Sequence, residues 1–354
     1  MIHKVGLLPL SHIDKVWDAY GSWVHSTAFR KDTGSRTVII EFVGVWDTVN
    51  SVGLIGVRKL YHTASNGSLR TFRHAVALDE HRARFRSNMW SPPSTYPKKR
   101  PQHFVVTDVD QVRFSGCHCD VGGGSVPNGT RPNLAHIALR WMVRECFKAK
   151  TGLRFDPAEI MAIGIDPDSL NPVVKPRPPP AALSNSHRIS TELILQPSYI
   201  SKAASWLISW FKSGQISGTP DYSIYNTYGE EELDLVDALA PVYDQLVINR
   251  RLWWFLEHIW LRRYSVTNKK MVWNRNLERG RMIPVPHDSS LTDPSAAASL
   301  GQVAIHPGWS KIRVHRTVTT RMESSGDIDG RQYIPRALLK NTRTLNNVDP
   351  SLIE

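Results

Sequence analysis

TVIIEFVGVWD, residues 37–47, decides how the N-terminal part of the chain is read. Its Val38, Ile39, Ile40, Phe42, Val43 and Val45 make an apolar, β-branched run of strand length, broken only by Glu41 and Gly44. A near-continuous run, rather than an alternating one, marks a strand buried on both faces of a parallel sheet. The flanking sequence extends the pattern. HFVVT (103–107) and QVRFSG (111–116) read as two further strands, and FRHAVALDEHRARF (72–85) reads as a helix beginning near Phe72. Beyond FSGCHCDVGGG (114–124), Leu134, Ile137, Ala138, Trp141, Met142 and Cys146 recur at helical spacing, with Pro132 and Asn133 at the start. Strands alternating with helices imply an α/β fold for this part of the chain.

The organisation changes after Gly152. DPDSLNPVVKPRPPPAA (166–182) is too rich in proline for regular structure and reads as an extended connector. AASWLISWF (203–211) and the stretch from Glu230 to Arg263 then show helical apolar spacing. The expected organisation is an α/β segment over 1–152, a Pro-rich connector over 153–190 and a mostly helical accessory region over 191–354.

Composition narrows the class of protein. With 41% hydrophobic residues in 354, the chain has the material for a sizeable core and is not a disordered polymer. Cys117, Cys119 and Cys146 are odd in number and unsuited to a disulfide framework, so a reducing compartment is expected. MIHKVGLLPLSHIDK lacks the apolar core of a signal peptide, and no stretch reaches the length of a membrane span. The expected location is therefore cytoplasmic. The net charge of +12 is concentrated in residues 58–100, where ten Lys/Arg face only Asp79 and Glu80. Such a patch attracts anionic partners, yet no helix-turn-helix, zinc-finger or RRM signature accompanies it, so nucleic acid is not the expected partner. The absence of a G-x-G-x-x-G fingerprint argues against a dinucleotide enzyme.

Cys117-His118-Cys119-Asp120 carries the candidate chemistry. Read as extended backbone, these four side chains alternate in direction and cannot converge on one ion, and no second CxxC or HxxxH follows; no metal is expected. Gly122, Gly123 and Gly124 precede a helix, but their spacing fits neither dinucleotide nor P-loop cradles, and no cofactor is expected. Acid–base catalysis remains. A histidine beyond the carboxyl end of a strand lies where α/β sheets place their sites. Asp47, just past its own strand, would be costly to bury without a partner. Together Asp47 and His118 form the back half of a Ser-His-Asp triad, in the chain order of α/β-hydrolases. A G-x-S-x-G nucleophile elbow is missing from the sequence, and Ser125 stands in the wrong order.

These residues resemble a known family. MIHKVGLL (1–8), FVGVWDTVNSVG (42–53), FRHAVALDEHRARF (72–85), VRFSGCHCDVGGG (112–124) and LAHIALRWMVREC (134–146) are similar to the α/β-hydrolase family typified by the type VI secretion phospholipase effectors of the first lipase class. WWFLEHIWLRR (253–263) and the segment 314–338 resemble its fungal branch. The resemblance implies a Ser-Asp-His triad hydrolysing carboxylic esters, with glycerophospholipids as substrates of the bacterial members. It makes His118 the general base and Asp47 its orienting acid, with Asp120, Gly122 and Gly123 supporting the loop. Cys119 replaces a serine usual in the family. The resemblance also places the nucleophile roughly a dozen residues before Met1, so this sequence reads as a partial α/β-hydrolase, N-terminally truncated and inactive as written.

The tryptophans open a second reading. Trp206, Trp210, Trp253, Trp254 and Trp260, with Arg262 and Arg263 beside the last, have the composition of an interfacial helix on an anionic membrane. Tryptophans at helical spacing also serve ordinary cores. The alternative function is accordingly a non-catalytic membrane-binding or protein-interaction module; the expected partner of the enzyme reading is a lipid or other ester substrate.

Overall fold

The computed structural model describes residues 2, 6–15, 26–49, 67–90, 105–193, 228–265, 270–283, 312–327 and 329–339. Its strands are β1 (Ile40–Trp46), β2 (Leu69–Ala77), β3 (Asp108–Phe114), β4 (Leu261–Ser265), β5 (Lys270–Asn274), β6 (Met282–Ile283), β7 (Arg313–Val314) and β8 (Leu338–Leu339). The helices are α1 (Ser26–Thr33), α2 (His118–Gly122), α3 (Ala135–Lys148), α4 (Pro157–Ala162), α5 (Glu230–Ala238), α6 (Gln245–Ile248), α7 (Arg250–His258) and α8 (Arg316–Glu323). A parallel sheet in the order β1-β2-β3-β7 carries the α/β architecture. Two small two-stranded sheets, β4-β5 and β6-β8, stand beside it.

The apolar run at 37–47 does form a strand, but β1 lies at one end of this sheet and is only partly buried. The strand sealed on both faces is β2, at the position expected to be helical. FRHAVA carries Arg73 and His74, polar residues that disguise a central strand. Both are buried all the same. Arg73 donates to Glu145 of α3 at 2.6 Å and to Asp108 at 2.7 Å, and Nε2 of His74 accepts from the Thr48 N–H at 3.1 Å. A buried ion is tolerated when it is paired, and here the pairing comes from 35 and 72 residues away. The third strand starts at Asp108 rather than Gln111; of the expected strand at 103–107, the described residues 105–107 are irregular.

One face of the sheet buries Ala75, Ala77, Val112 and Phe114 against Ile137, Ala138, Trp141 and Met142 of α3. The helix thus presents the stripe its spacing predicts. The other face packs Leu69, Phe72, Trp90 and Val109 together. Arg140 of α3 is fully buried and binds Asp234 and Asp237 of α5, tying the late helix to the early sheet. Arg177, within the proline-rich stretch, reaches Glu231 at 2.9 Å and Asp234 at 2.7 Å, so that stretch is pinned to the same helix.

The span 230–263 is not one helix. It breaks after Ala238, restarts as α6 and α7, and enters β4 at Leu261. Pro241 removes a backbone donor at the first break, and Asp244 caps the restart by accepting from Leu246 N–H at 3.0 Å. The helical expectation at 203–211 falls outside the described residues. Among the described residues, no helix is long and apolar enough to cross a membrane.

Candidate active site

The two strand ends expected to meet do so. Asp47 follows β1 with φ +41, a left-handed conformation that Asp and Asn accept more readily than most residues. Its N–H donates to Ala75 O at 2.7 Å, continuing the β1–β2 ladder past the last strand residue. The side chain is wholly buried, and Oδ1 accepts from Ala77 N–H at 2.9 Å. Oδ2 lies 2.7 Å from Nδ1 of His118. An ionised carboxylate can only accept, so Nδ1 carries a proton, and in the neutral imidazole Nε2 is the nitrogen that holds the lone pair. The His118 side chain keeps 29% of its surface exposed. Among the described residues no polar group engages its Nε2.

His118 opens α2, so the expected extended reading of Cys117–Asp120 gives way to a helical turn. The turn is built by carboxylates. Cys117 N–H donates to Asp120 Oδ2 at 2.8 Å, His118 N–H to Glu80 Oε2 at 3.2 Å, and Gly116 N–H to Asp79 Oδ2 at 2.6 Å. Asp120 also accepts from Tyr243 N–H at 3.1 Å. It is thus a fastener between α2 and the stretch after α5, not a group facing the imidazole. Gly116, at φ +102, would bring a Cβ within 2.5 Å of the Asp120 Cβ, so only glycine allows this close approach. Gly123 and Gly124 serve conformation instead: their φ values are +83 and +90, and no described atom lies within 4 Å of where a Cβ would stand.

Phe85 packs its ring edge-on against His118, with centroids 5.0 Å apart. Arg82 lies over the Phe85 ring at 3.5 Å while pairing with Glu80, and Trp253 of α7 meets Phe85 at 5.5 Å. The imidazole is therefore clamped between a carboxylate and an aromatic wall.

Arg281 is the residue that sequence reasoning misses. Its guanidinium grips Asp47 through both oxygens, NH1 to Oδ1 at 2.5 Å and NH2 to Oδ2 at 2.8 Å. Burial by itself would push the Asp47 carboxyl up; the Arg281 charge and the bonds from His118, Arg281 and Ala77 hold it well below the usual carboxylate range instead. Asp120 shows the opposite balance. Burial lifts it to about 7 despite its backbone donors. Burial also raises the Cys117 and Cys119 thiols, so the surroundings of neither favour the reactive thiolate. No motif marks Arg281, which lies 234 residues from its partner. Glu80 and Phe85, by contrast, fall inside the stretch that carries the resemblance. Among the described residues, no group of three or more His, Cys, Asp and Glu side chains is placed to hold a metal ion.

Residues 1–145 match the family model described as T6SS, phospholipase effector Tle1-like, catalytic domain. Over that span the chain is similar to the Tle1-like catalytic domain. The matched span contains β1, β2, β3 and α2, hence both Asp47 and His118; Arg281 lies beyond it. The chain is also similar to the uncharacterized protein YEL023C of Saccharomyces cerevisiae, at 34% identity over 116 residues, covering 28% of this chain and 17% of the yeast protein. Among solved structures it is similar to an uncharacterized protein from Pseudomonas aeruginosa, at 26% identity, covering 33% of this chain and 18% of that one with a TM-score of 0.22. The chain therefore spans less than a fifth of the length of either relative.

Proposed function

We propose that Asp47 and His118 are the acid and base of a Ser-Asp-His carboxylic-ester hydrolase acting on phospholipid. The observation that carries this reading is the 2.7 Å Nδ1–Oδ2 contact, which, among the described residues, leaves Nε2 unengaged on a partly exposed ring. In the reaction, Nε2 takes the proton of an attacking serine hydroxyl and later delivers it to the leaving alcohol. Asp47 holds the tautomer and stabilises the imidazolium in between. The Tle1-like match supports the phospholipase and esterase class. The 354 residues hold no G-x-S-x-G elbow, and we propose that the serine partner is not supplied from within them.

A second reading, membrane contact with or without turnover, is favoured by one observation. Trp254, Phe255, Trp260 and Trp273 are all exposed, and Arg275 lies over the Trp260 ring at 5.2 Å. Trp254 and Phe255 belong to α7, whose Trp253 meets Phe85 beside His118, so an apolar and basic surface adjoins the candidate site. Trp206 and Trp210 lie outside the described residues.

One experiment addresses both. Protein from its native source is treated with a fluorophosphonate probe and assayed on vesicles containing anionic phospholipid. Expected are a labelled serine peptide outside the 354 residues, fatty-acid release, and loss of turnover by on the order of 10⁴–10⁶ in His118→Ala. Vesicle binding with neither labelling nor hydrolysis would replace the enzyme by the membrane module.

A further inference from the structure

Arg281 is bound to the site far more elaborately than a chance ion pair requires. All five of its N–H donors are used. Two go to the two oxygens of Asp47, and the other three to carbonyls: NH1 to Ala77 O at 3.1 Å, Nε to Phe85 O at 2.9 Å and NH2 to Phe85 O at 2.5 Å. The residues it holds are those that touch the imidazole, Asp47 as acceptor for Nδ1 and Phe85 as the ring at its edge. The segment bearing Arg281 is itself locked in place. Gly280 approaches so closely that a Cβ there would sit 2.0 Å from Arg336 O. Buried Glu257 of α7 accepts from Ala83 N–H at 2.5 Å and, on its other oxygen, from Asn276 Nδ2 at 2.6 Å and Glu278 N–H at 3.0 Å, fastening the turn before Arg281 to the loop before Phe85.

We infer that Arg281 is the positioning residue of the Asp47–His118 pair, aligning the carboxylate and the Phe85 ring on the imidazole. The inference rests on the acid–base role proposed above, and it places part of the catalytic geometry outside the matched span. The bidentate grip fixes the rotation of the carboxylate, so that Oδ2 faces Nδ1 rather than turning between partners. A guanidinium does this through its planar fork; an ammonium carries the charge but spans only one oxygen at a time.

The test is spectroscopic and needs no turnover. In the full chain, the proton on Nδ1 of His118 gives a low-field resonance, assigned by its loss in His118→Gln. In Arg281→Gln this line is expected to vanish, or its exchange with solvent to quicken at least tenfold, while the circular dichroism stays that of the parent. Arg281→Lys is expected to quicken exchange less. It keeps the charge, and it decides alone if Arg281→Gln does not fold. An unchanged line with unchanged exchange in the folded variants overturns the inference, as does absence of the line from the parent protein. Failure of the protein from its native source to hydrolyse ester would strike the proposed activity and leave this result standing.

Discussion

Asp47 and Arg281 should prove strongly coupled in stability, and the structure sets the scale. Asp47→Asn is the clean perturbation, since Asn tolerates φ +41 and can still accept from Ala77 N–H. It deletes the charge and leaves the guanidinium of Arg281, 7% exposed, without its counter-ion. Arg281→Met does the converse to a carboxylate with no exposure at all. Breaking a buried pair from one side costs about 3–5 kcal/mol, mostly the penalty of the orphaned charge. The double variant carries neither charge. It should therefore be destabilised by about 2–3 kcal/mol less than the sum of the single changes. Urea unfolding of the parent and three variants, followed by tryptophan fluorescence, measures the cycle. The pH dependence supplies a second check. Asp47 is depressed in the folded state, so its contribution is complete above the unfolded carboxylate value, about 4, and is lost as pH falls below it. The gap between parent and Asp47→Asn should narrow by about 1 kcal/mol between pH 7 and pH 3. Additivity within about 0.5 kcal/mol, with a gap that does not move with pH, would refute the reasoning.

Asp120 should behave with the opposite sign. Its carboxyl is raised to about 7, so the folded state holds the proton more tightly and the buried charge costs stability as pH rises from about 4 through 7. Relative to Asp120→Asn, the parent should lose about 2–4 kcal/mol between pH 4 and pH 8 in paired urea titrations; a constant difference counts against the assignment. Gly116→Ala should cost at least about 2 kcal/mol, because it sets a left-handed alanine against the Asp120 Cβ. A melting temperature within a degree of the parent's would show that the loop yields.

Much of the site is legible in the sequence, for a physical reason. An apolar run ending in Asp47 and a histidine ahead of glycines each describe a strand end, and a parallel sheet brings the carboxyl ends of its strands to one edge. The meeting of Asp47 and His118, and the helix at 135–148, follow from such local patterns. The identity of the central strand does not. Arg73 and His74 interrupt the apolar pattern of β2, and Glu145, Asp108 and Thr48, distant in sequence, help make their burial tolerable. Arg281 lies further still from any pattern. Hydrophobic periodicity is a property of neighbouring residues, whereas a buried charge is balanced by whatever residue the folded chain carries to it. The sequence by itself determines an α/β segment with an aspartate and a histidine at the ends of two of its strands. The tertiary structure alone decides that β2 is sealed at the centre of the sheet and that a guanidinium 234 residues away neutralises the aspartate, because both depend on long-range electrostatic partners.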